Sequence, residues 1–166
     1  MKTAVLSLGT NLGNRYGNLE TALRLLERGA VRVVKTSSVI ETESWGFDSF
    51  PFLNMAVVVE TALTPLDLLA STQKIEQAMG RTEKTVTDKI TGKPIYSDRI
   101  IDIDILLYGN ETVNLPNLTV PHPQISEREF VLHPLAELFG DKVVPPFKIS
   151  FASMLEKPNH HHGYTL

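Results

Sequence analysis

The chain has no cysteine, which excludes disulfide bonds, thiolate nucleophiles and zinc sites built from cysteine. It has no apolar run near the ~18 residues that a transmembrane helix requires. The run after Lys2 ends at Ser7, too soon for a signal peptide. The net charge of -3 gives no positive field that would attract nucleic acid or an anionic membrane. We therefore expect a cytoplasmic protein that binds neither nucleic acid nor membranes.

Two common nucleotide-binding motifs are missing as well. The sequence contains neither the P-loop pattern, Gly-x4-Gly-Lys-Ser/Thr, nor the dinucleotide pattern, Gly-x-Gly-x-x-Gly. This excludes the common nucleotide-binding folds. If the protein binds ATP, it must hold the nucleotide with side chains and a metal ion.

The length and the composition indicate one domain. A chain of 166 residues is enough for a single domain with its own core, and 42% apolar and 21% charged residues are typical of a globular protein. We expect one domain over 1–166, with a core over about 3–140 and a flexible tail over 156–166. The three histidines at 160–162 lie in this tail, and no role is predicted for them.

Hydrophobic periodicity predicts the element order β-α-β-β-α-β, followed by a C-terminal extension. The predicted strands are 3–8, 31–42, 53–61 and 99–108, and the predicted helices are 14–28 and 65–79. Only a loop joins the second and third strands, which argues against a doubly wound parallel sheet. The order is that of a ferredoxin-like α+β fold, in which helices pack on an antiparallel sheet.

The segments outside this pattern are shorter or irregular. The stretch 81–98 has no hydrophobic period, and a loop of that length in a compact domain is usually functional or mobile. In the extension we expect short β segments over 113–120 and helical pieces over 127–139 that are broken by Pro134. A short strand after Val143 and a turn of helix near 151–155 should follow.

The predicted strand 99–108 carries two acidic residues, Asp102 and Asp104, among aliphatic ones. Side chains at i and i+2 of a strand point to the same side, so the two residues lie about 7 Å apart at their Cα atoms and their carboxylates can converge. A divalent cation relieves their repulsion, and oxygen ligands suit Mg²⁺. The alternative is a strand edge on which both carboxylates face water. Arg99 and the basic loop before it favour a metal site for phosphate chemistry.

Aromatic residues are concentrated just before the strand residue Asn54. They are Trp45, Phe47, Phe50 and Phe52. Aromatic residues in a loop can cap the core, or they can form a slot for a flat ligand. In the second case Phe52 would stack on a ring, with Phe130 as the opposing plate. The amide of Asn54 would then bind the polar edge of the ring, because it offers both a donor and an acceptor.

Polar and basic residues that could contact a polyphosphate are scattered over the rest of the chain. Gln73 and Glu76 lie off the apolar stripe of the second helix, where a solvated face is the alternative to a ligand site. His122 stands between two prolines, which fix its backbone and present its ring. The basic candidates are Arg81, Lys84, Lys89, Lys93, Arg99 and Arg128.

Several short motifs occur in a fixed order along the chain. The most specific is Arg99-x-x-Asp102-Ile103-Asp104. The others are Gly9-Thr10-Asn11, Phe52-Leu53-Asn54, Gln73-x-x-Glu76, Gly80-Arg81 and Val120-Pro121-His122. In this order and spacing, residues 4–139 resemble the 6-hydroxymethyl-7,8-dihydropterin pyrophosphokinase family, whose signature is Arg-x-x-Asp-aliphatic-Asp.

The resemblance implies a role for individual residues. Asp102 and Asp104 would bind two Mg²⁺ ions and form the catalytic set with Arg81 and Arg99. The residues implied to bind the pterin are Thr42, Trp45, Phe52, Asn54 and Phe130. Those implied to line the ATP site are Gln73, Glu76, Tyr96, Arg99, Ile105, Thr119, His122 and Arg128. Loop arginines of relatives have no clear counterpart here, and Lys84, Lys89 or Lys93 could replace them.

The resemblance also implies a reaction. The pterin hydroxymethyl oxygen would attack the β-phosphorus of ATP and AMP would leave, a step of tetrahydrofolate biosynthesis carried out by a monomer with a ferredoxin-like fold. Two alternatives come from other classes. A ferredoxin-like module could sense a nucleotide without turning it over, but it would not need paired aspartates on a buried strand. A metal-dependent phosphohydrolase would need more metal ligands than two aspartates offer.

Overall fold

The observed elements follow the predicted order, but two short strands lie within the stretch 81–98 that is predicted as a loop. The computed structural model describes residues 1–43, 50–80, 86–87, 94–95 and 100–157. The first elements within these ranges are β1 (Lys2–Thr10), α1 (Arg15–Arg28), β2 (Val31–Thr36), β3 (Ile40–Thr42), β4 (Phe52–Thr61) and α2 (Pro65–Ala78). They are followed by β5 (Val86–Thr87), β6 (Pro94–Ile95), β7 (Asp102–Tyr108), β8 (Val113–Leu115), β9 (Leu118–Val120), α3 (Glu129–Phe139) and α4 (Phe151–Leu155). A 3₁₀ turn at Ile125–Glu127 leads into α3.

Five strands form one antiparallel sheet. Strands β2, β4, β1 and β7 lie side by side in that order, and β3 also pairs with β4. Each β-α-β unit therefore skips one strand, since β4 lies between β1 and β2, and β1 lies between β4 and β7. This arrangement confirms the predicted ferredoxin-like α+β fold. Strands β5 and β6 pair with each other, as do β8 and β9.

Helices α1 and α2 both begin at side-chain caps. The side chains of Asn14 and Thr64 each accept a hydrogen bond from the backbone N–H three residues later, at 3.1 and 3.2 Å. Pro65 then occupies the first turn of α2, where its missing N–H removes no helical bond. Gly80 follows the end of α2 with a φ of 104°, a conformation that suits glycine. In the described ranges, no helix combines the length and apolarity needed to cross a membrane.

Helices α1 and α2 cover one face of the sheet and bury the larger core. The helices contribute Leu19, Ala22, Leu26, Leu68, Leu69 and Ile75. The strands contribute Leu6, Leu8, Leu53, Met55, Val57, Val59, Ile103 and Ile105. Every second residue of β4 from Leu53 to Val59 thus faces these helices.

Helices α3 and α4 pack on the opposite face and bury a second, smaller core. Its buried members are Val5, Ala56, Leu106, Leu107, Ile125, Val131, Leu132, Leu135, Phe151 and Met154. The ring of Phe151 lies 5.8 Å from that of Phe139 and 5.4 Å from that of Phe147, between centroids. The packed core therefore extends past position 140, where the sequence placed its end, because the C-terminal extension supplies apolar residues to this face.

Three further predictions of local structure were wrong. The strand expected over 31–42 is divided into β2 and β3 at Ser37, whose hydroxyl accepts from the N–H of Ala56 at 2.9 Å. Pro134 does not break α3, because proline removes only one helical bond and the buried face of this helix remains continuous. The backbone over 143–150 has turns and bends in place of the short strand expected there.

Candidate active site

The two aspartates of β7 lie on the sheet face opposite α1 and α2. Asp102 and Asp104 are half-buried, whereas Ile103 and Ile105 between and after them are buried in the larger core. The alternation expected of a strand is therefore present, and both carboxylates are on the same side. Arg99, the first residue of the predicted signature, lies outside the described residues.

Cross-strand pairing brings Asn54 into one row with Asp102. In the register of the sheet, Gly9 of β1 pairs with Asn54 of β4 on one side and with Asp102 of β7 on the other. Directly paired residues project to the same face, and neighbouring strands are about 4.8 Å apart. Asn54 and Asp102 thus lie on one face, about 10 Å apart at Cα. Gly9, which has no side chain, lies between them.

The buried amide of Asn54 is held by a hydroxyl. Its Nδ2 donates a 2.9 Å hydrogen bond to Oγ1 of Thr42 at the end of β3, and both side chains are about 95% buried. Phe52 pairs with Thr42 and lies two residues before Asn54, so its half-buried ring is on the same face. Three of the residues implied to bind a pterin are therefore adjacent. They form a site with a ring for stacking and an amide for hydrogen bonding.

The turn between β1 and α1 is tied to the residues that lead into β4. Asn11 is fully buried, and its Nδ2 donates a 3.1 Å hydrogen bond to the carbonyl of Phe50. Arg15 binds the Glu41 carboxylate and the Pro51 carbonyl, each at 2.9 Å. Both sides of the 44–49 segment are thus anchored to the start of α1. Sequence analysis assigned no role to Asn11 or Arg15, although the Gly9-Thr10-Asn11 motif was a signal for Asn11.

Glu76 of α2 reaches the outer edge of the aspartate strand. It is almost fully buried, and its Oε2 accepts a 2.8 Å hydrogen bond from the N–H of Ile103, the residue between Asp102 and Asp104. A solvated helix face, the alternative considered for Glu76, is therefore wrong. The neighbouring Gln73 is exposed on the same helix. Glu76 fixes the position of the edge strand that carries both aspartates.

The backbone of His122 is bonded to the same strand, and its ring is oriented by the residue two positions later. Its N–H donates to the carbonyl of Leu106 at 2.9 Å, and its Nδ1 accepts from the N–H of Gln124 at 3.2 Å. With Nδ1 acting as an acceptor, the proton of the neutral ring is assigned to Nε2, which becomes a donor. His122 can therefore donate a hydrogen bond to a phosphate oxygen.

Arg128 and Phe130 lie at the start of α3. The guanidinium carbon of Arg128 is 5.6 Å from the centroid of the half-buried Phe130 ring, a cation–π contact, and the guanidinium also binds the side-chain carbonyl of Gln124. Of the other residues implied to line an ATP site, Thr119 is exposed on β9. The side chain of Ile105 lies in the larger core, so only its backbone could contact a nucleotide at the strand edge.

Several predicted residues lie outside the described part of the chain. They are Trp45, Arg81, Lys84, Lys89, Lys93, Tyr96 and Arg99, together with the tail from 158 onward. Their predicted roles stay predictions.

The metal site implied by the sequence fits the described residues. Within them, no group of three or more His, Cys, Asp or Glu side chains is placed to hold a metal ion. Mg²⁺ in nucleotide sites is usually bound by one or two carboxylates plus phosphate oxygens and water, and not by an all-protein cage. Two half-buried carboxylates on a rigid strand, Asp102 and Asp104, therefore suit Mg²⁺ that arrives with a nucleotide.

Comparison with known proteins gives the family. A sequence model of 7,8-dihydro-6-hydroxymethylpterin-pyrophosphokinase (HPPK) matches residues 5–140. The chain is 44% identical over 140 residues to the 2-amino-4-hydroxy-6-hydroxymethyldihydropteridine pyrophosphokinase of Porphyromonas gingivalis, covering 83% of this chain and 91% of that protein. It is 43% identical over 137 residues to the protein of the same name from Bacillus subtilis, covering 81% of this chain and 77% of that one.

A solved structure of low sequence identity has the same fold. The HPPK-DHPS of Plasmodium falciparum, crystallised with pterin and p-hydroxybenzoate, has a TM-score of 0.71 and 19% identity to this chain. The match covers 92% of this chain and 42% of that one, so the chain spans less than half the length of that protein. The chain therefore belongs to the 7,8-dihydro-6-hydroxymethylpterin-pyrophosphokinase family, the pyrophosphokinases of folate biosynthesis.

Proposed function

We propose that the reaction takes place on the sheet face that carries Asn54 and Asp102, with ATP and 6-hydroxymethyl-7,8-dihydropterin as substrates. The observation that carries this proposal is the row Asn54–Gly9–Asp102, which brings a buried amide and a candidate metal carboxylate to one face about 10 Å apart. A planar acceptor bound at the amide would extend its hydroxymethyl group toward the carboxylate. Both substrates then meet over strand β1.

The acceptor half of the site consists of Thr42, Phe52 and Asn54. The amide of Asn54 is fixed by its hydrogen bond to Thr42, so it can bind the polar edge of a pterin without losing side-chain freedom on binding. Phe52 stacks on one face of the ring, and we assign Phe130 to the other face. A fixed amide and a fixed ring orient the acceptor before ATP chemistry begins.

The donor half of the site is built around β7. Asp102 and Asp104 would hold Mg²⁺, which neutralises phosphate charge and helps to align the attacking and leaving oxygens. His122 donates through Nε2 to a phosphate oxygen, and Arg128 adds a positive charge. Glu76 keeps the aspartate strand in place through the N–H of Ile103. Asp102 and Asp104 lie on β7, and Glu76 and His122 hydrogen-bond to its backbone.

The bond changes follow from this arrangement. The hydroxymethyl oxygen forms a bond to the β-phosphorus, and the bond from that phosphorus to the bridging oxygen of the α-phosphate breaks. AMP leaves with the electron pair, and the hydroxyl proton is released. Holding the oxygen and the phosphorus in line lowers the barrier by removing the entropy of encounter.

Product analysis tests the proposal. The protein is mixed with ATP and Mg²⁺, with or without 6-hydroxymethyl-7,8-dihydropterin, and nucleotides and pterins are separated by chromatography. We expect AMP and a pyrophosphorylated pterin in equal amounts, and no AMP without the pterin. ADP or free phosphate formed without the pterin would contradict the proposal, as would ATP binding without any turnover.

We further propose two Mg²⁺ ions per active site, a monomer and a single cytoplasmic catalytic domain. Asp102 and Asp104 would hold the ions, since each side chain offers a separate carboxylate on the same side of β7. Both cores are built on the same sheet, which supports one domain. Calorimetric titration of Mg²⁺ in the presence of a non-hydrolysable ATP analogue measures the number of ions bound per protein.

Sedimentation measures the mass of the protein in solution, which should be near 18.5 kDa for a monomer.

A further inference from the structure

We infer that Gly9 is a positioning residue of the acceptor site, because its missing side chain leaves room over β1 for the amide of Asn54. The inference rests on the proposed function. Gly9 has no side chain that could bind a substrate, and its inferred role is to leave room for a neighbouring side chain. The two substrate halves meet at this residue, since it pairs with Asn54 on one side and with Asp102 on the other.

Backbone conformation does not explain glycine at this position. Gly9 lies within strand β1, and it is not among the glycines with positive φ, which are Gly13, Gly80, Gly109 and Gly140. Glycine in a strand interior weakens the strand and often marks a place where a ligand or another backbone approaches closely. A residue with a side chain could adopt this conformation, so the reason for glycine lies in the space above it.

The space above Gly9 is bordered by the acceptor residues. A Cβ atom added there would lie 3.0 Å from Oδ1 of Asn54, 3.8 Å from Cδ1 of Phe52 and 3.9 Å from the carbonyl of Leu53. Asn54 cannot move aside easily, because it is about 95% buried and its Nδ2 is bonded to Thr42. The added methyl group would therefore press on the amide oxygen that faces the acceptor.

The effect of a side chain should fall on one substrate only. The nearest neighbours of the added Cβ include Asn54 and Phe52, which belong to the acceptor half. The contacts that define the donor half involve Glu76, His122 and β7, and none of these is among the atoms nearest to that Cβ. Gly9→Ala is thus expected to weaken pterin binding and to leave ATP binding intact.

The test compares Gly9→Ala with a glycine substitution far from the site. Gly29→Ala is the matched control, because its φ of -87° suits alanine and the added Cβ would make ordinary contacts at 3.5 and 3.6 Å. For each variant, the KM for 6-hydroxymethyl-7,8-dihydropterin, the Kd for Mg·ATP and the melting temperature are measured. For Gly9→Ala we expect a pterin KM raised about tenfold or more, equivalent to about 1.4 kcal/mol. The Kd for Mg·ATP should stay within about twofold of wild type, and Gly29→Ala should match wild type in all three quantities.

A second pair of variants separates loss of folding from loss of space. If Gly9→Ala melts far below wild type, Asn54→Ser removes the atom that the new Cβ would meet. The pterin KM is then compared for Asn54→Ser with and without Gly9→Ala. Equal KM values support the inference, because the new Cβ then has no amide to displace, and a further rise in the double variant overturns it.

The inference and the proposed function fail in different ways. A wild-type protein without pterin-dependent AMP formation refutes the proposed acceptor, whatever Gly9→Ala does. Wild-type activity together with an unchanged pterin KM in folded Gly9→Ala refutes the role of Gly9 alone. Equal losses of pterin and ATP binding in a folded Gly9→Ala variant would also refute it, because the residue would then act on the whole sheet.

Discussion

The two faces of the central sheet differ in what their residues must do. The face under α1 and α2 is apolar along its length, and its strand residues from Leu6 to Ile105 are buried together. The other face is apolar only where α3 and α4 cover Val5, Ala56 and Leu106. Toward its other end the same strands carry Thr42, Asn54, Asp102 and Asp104. One face provides stability, whereas the second is divided between packing and chemistry.

Burial of polar groups on the second face is made tolerable by hydrogen bonds. An unpaired buried amide or hydroxyl would destabilise the fold by about 1–3 kcal/mol. Asn54 therefore binds Thr42, and Asn11 binds the carbonyl of Phe50. These bonds lower the free-energy cost of burying the polar groups. They also fix the side chains in one orientation, which prepares a binding site.

The largest difference between the two faces should appear when a carboxylate of the second face is neutralised. Asp102→Asn keeps the size of the side chain but removes the charge that would hold Mg²⁺. Because a catalytic metal contributes several kcal/mol and each 1.36 kcal/mol is tenfold in rate, kcat should fall about a thousandfold. AMP formation with pterin present measures kcat, and the melting temperature should stay near wild type.

Asp141→Asn is the control for this charge change, since Asp141 is exposed beyond α3. It should retain wild-type kcat. If Asp102→Asn kept near wild-type turnover, the assignment of the metal site would be wrong. Asp104→Asn is expected to behave like Asp102→Asn, because both carboxylates lie on the same side of β7.

The opposite result is expected on the face that α1 and α2 cover. Leu26→Ala removes a fully buried side chain from the larger core. The free energy of unfolding should decrease by about 2–5 kcal/mol, since a cavity replaces lost packing. Urea unfolding measures this loss. At a temperature where the variant is folded, kcat and both KM values should remain near wild type. A large change in KM would mean that the two faces are not separable.

Glu76 links α2 to the edge strand that carries the aspartates, because its carboxylate binds the backbone of β7. Glu76→Ala leaves the buried N–H of Ile103 without this acceptor, which should destabilise the protein by about 1–3 kcal/mol and weaken Mg·ATP binding. Glu76→Gln retains an acceptor oxygen and should recover most of the stability. Equilibrium unfolding and calorimetric titration of Mg·ATP measure the two effects. Equal behaviour of both variants would mean that charge, and not the bond to Ile103, is what matters.

The smallest effect should come from Glu137, where α3 meets the segment between β2 and β3. Hydrogen bonds from the hydroxyl and the N–H of Ser38 lower the pKa of the Glu137 carboxyl below 4.5. Because the folded-state pKa lies below the unfolded value, the stabilisation is present above pH 4.5 and is lost as the pH falls through the lowered pKa. The urea midpoint of Glu137→Gln should be slightly below that of wild type at pH 7.

The same pair of proteins provides the control for this pH effect. Below the lowered pKa both side chains are neutral, so the two urea midpoints should converge there. A difference that is independent of pH would show that the carboxylate charge of Glu137 contributes nothing.

The regular elements could be predicted because each has a single dominant period. Strand β4 alternates apolar residues from Leu53 to Val59, and α2 combines a capping Thr64 with an apolar stripe. Failures occurred where tertiary contacts override local patterns. The β2–β3 strand is interrupted by bonds between Ser37 and Ala56, and Pro134 remains within a helix whose buried face is continuous.

Local sequence patterns suffice to predict the element order and the paired carboxylates. The Asp102-Ile103-Asp104 alternation puts two carboxylates on one side of any strand, and the order of elements sets the fold. Tertiary structure alone decided which residues meet across the sheet. Asn54 and Asp102 are 48 residues apart along the chain, and the pairing of both with Gly9 brings them into one row. Register depends on contacts among distant strands, so no local pattern in the chain contains it.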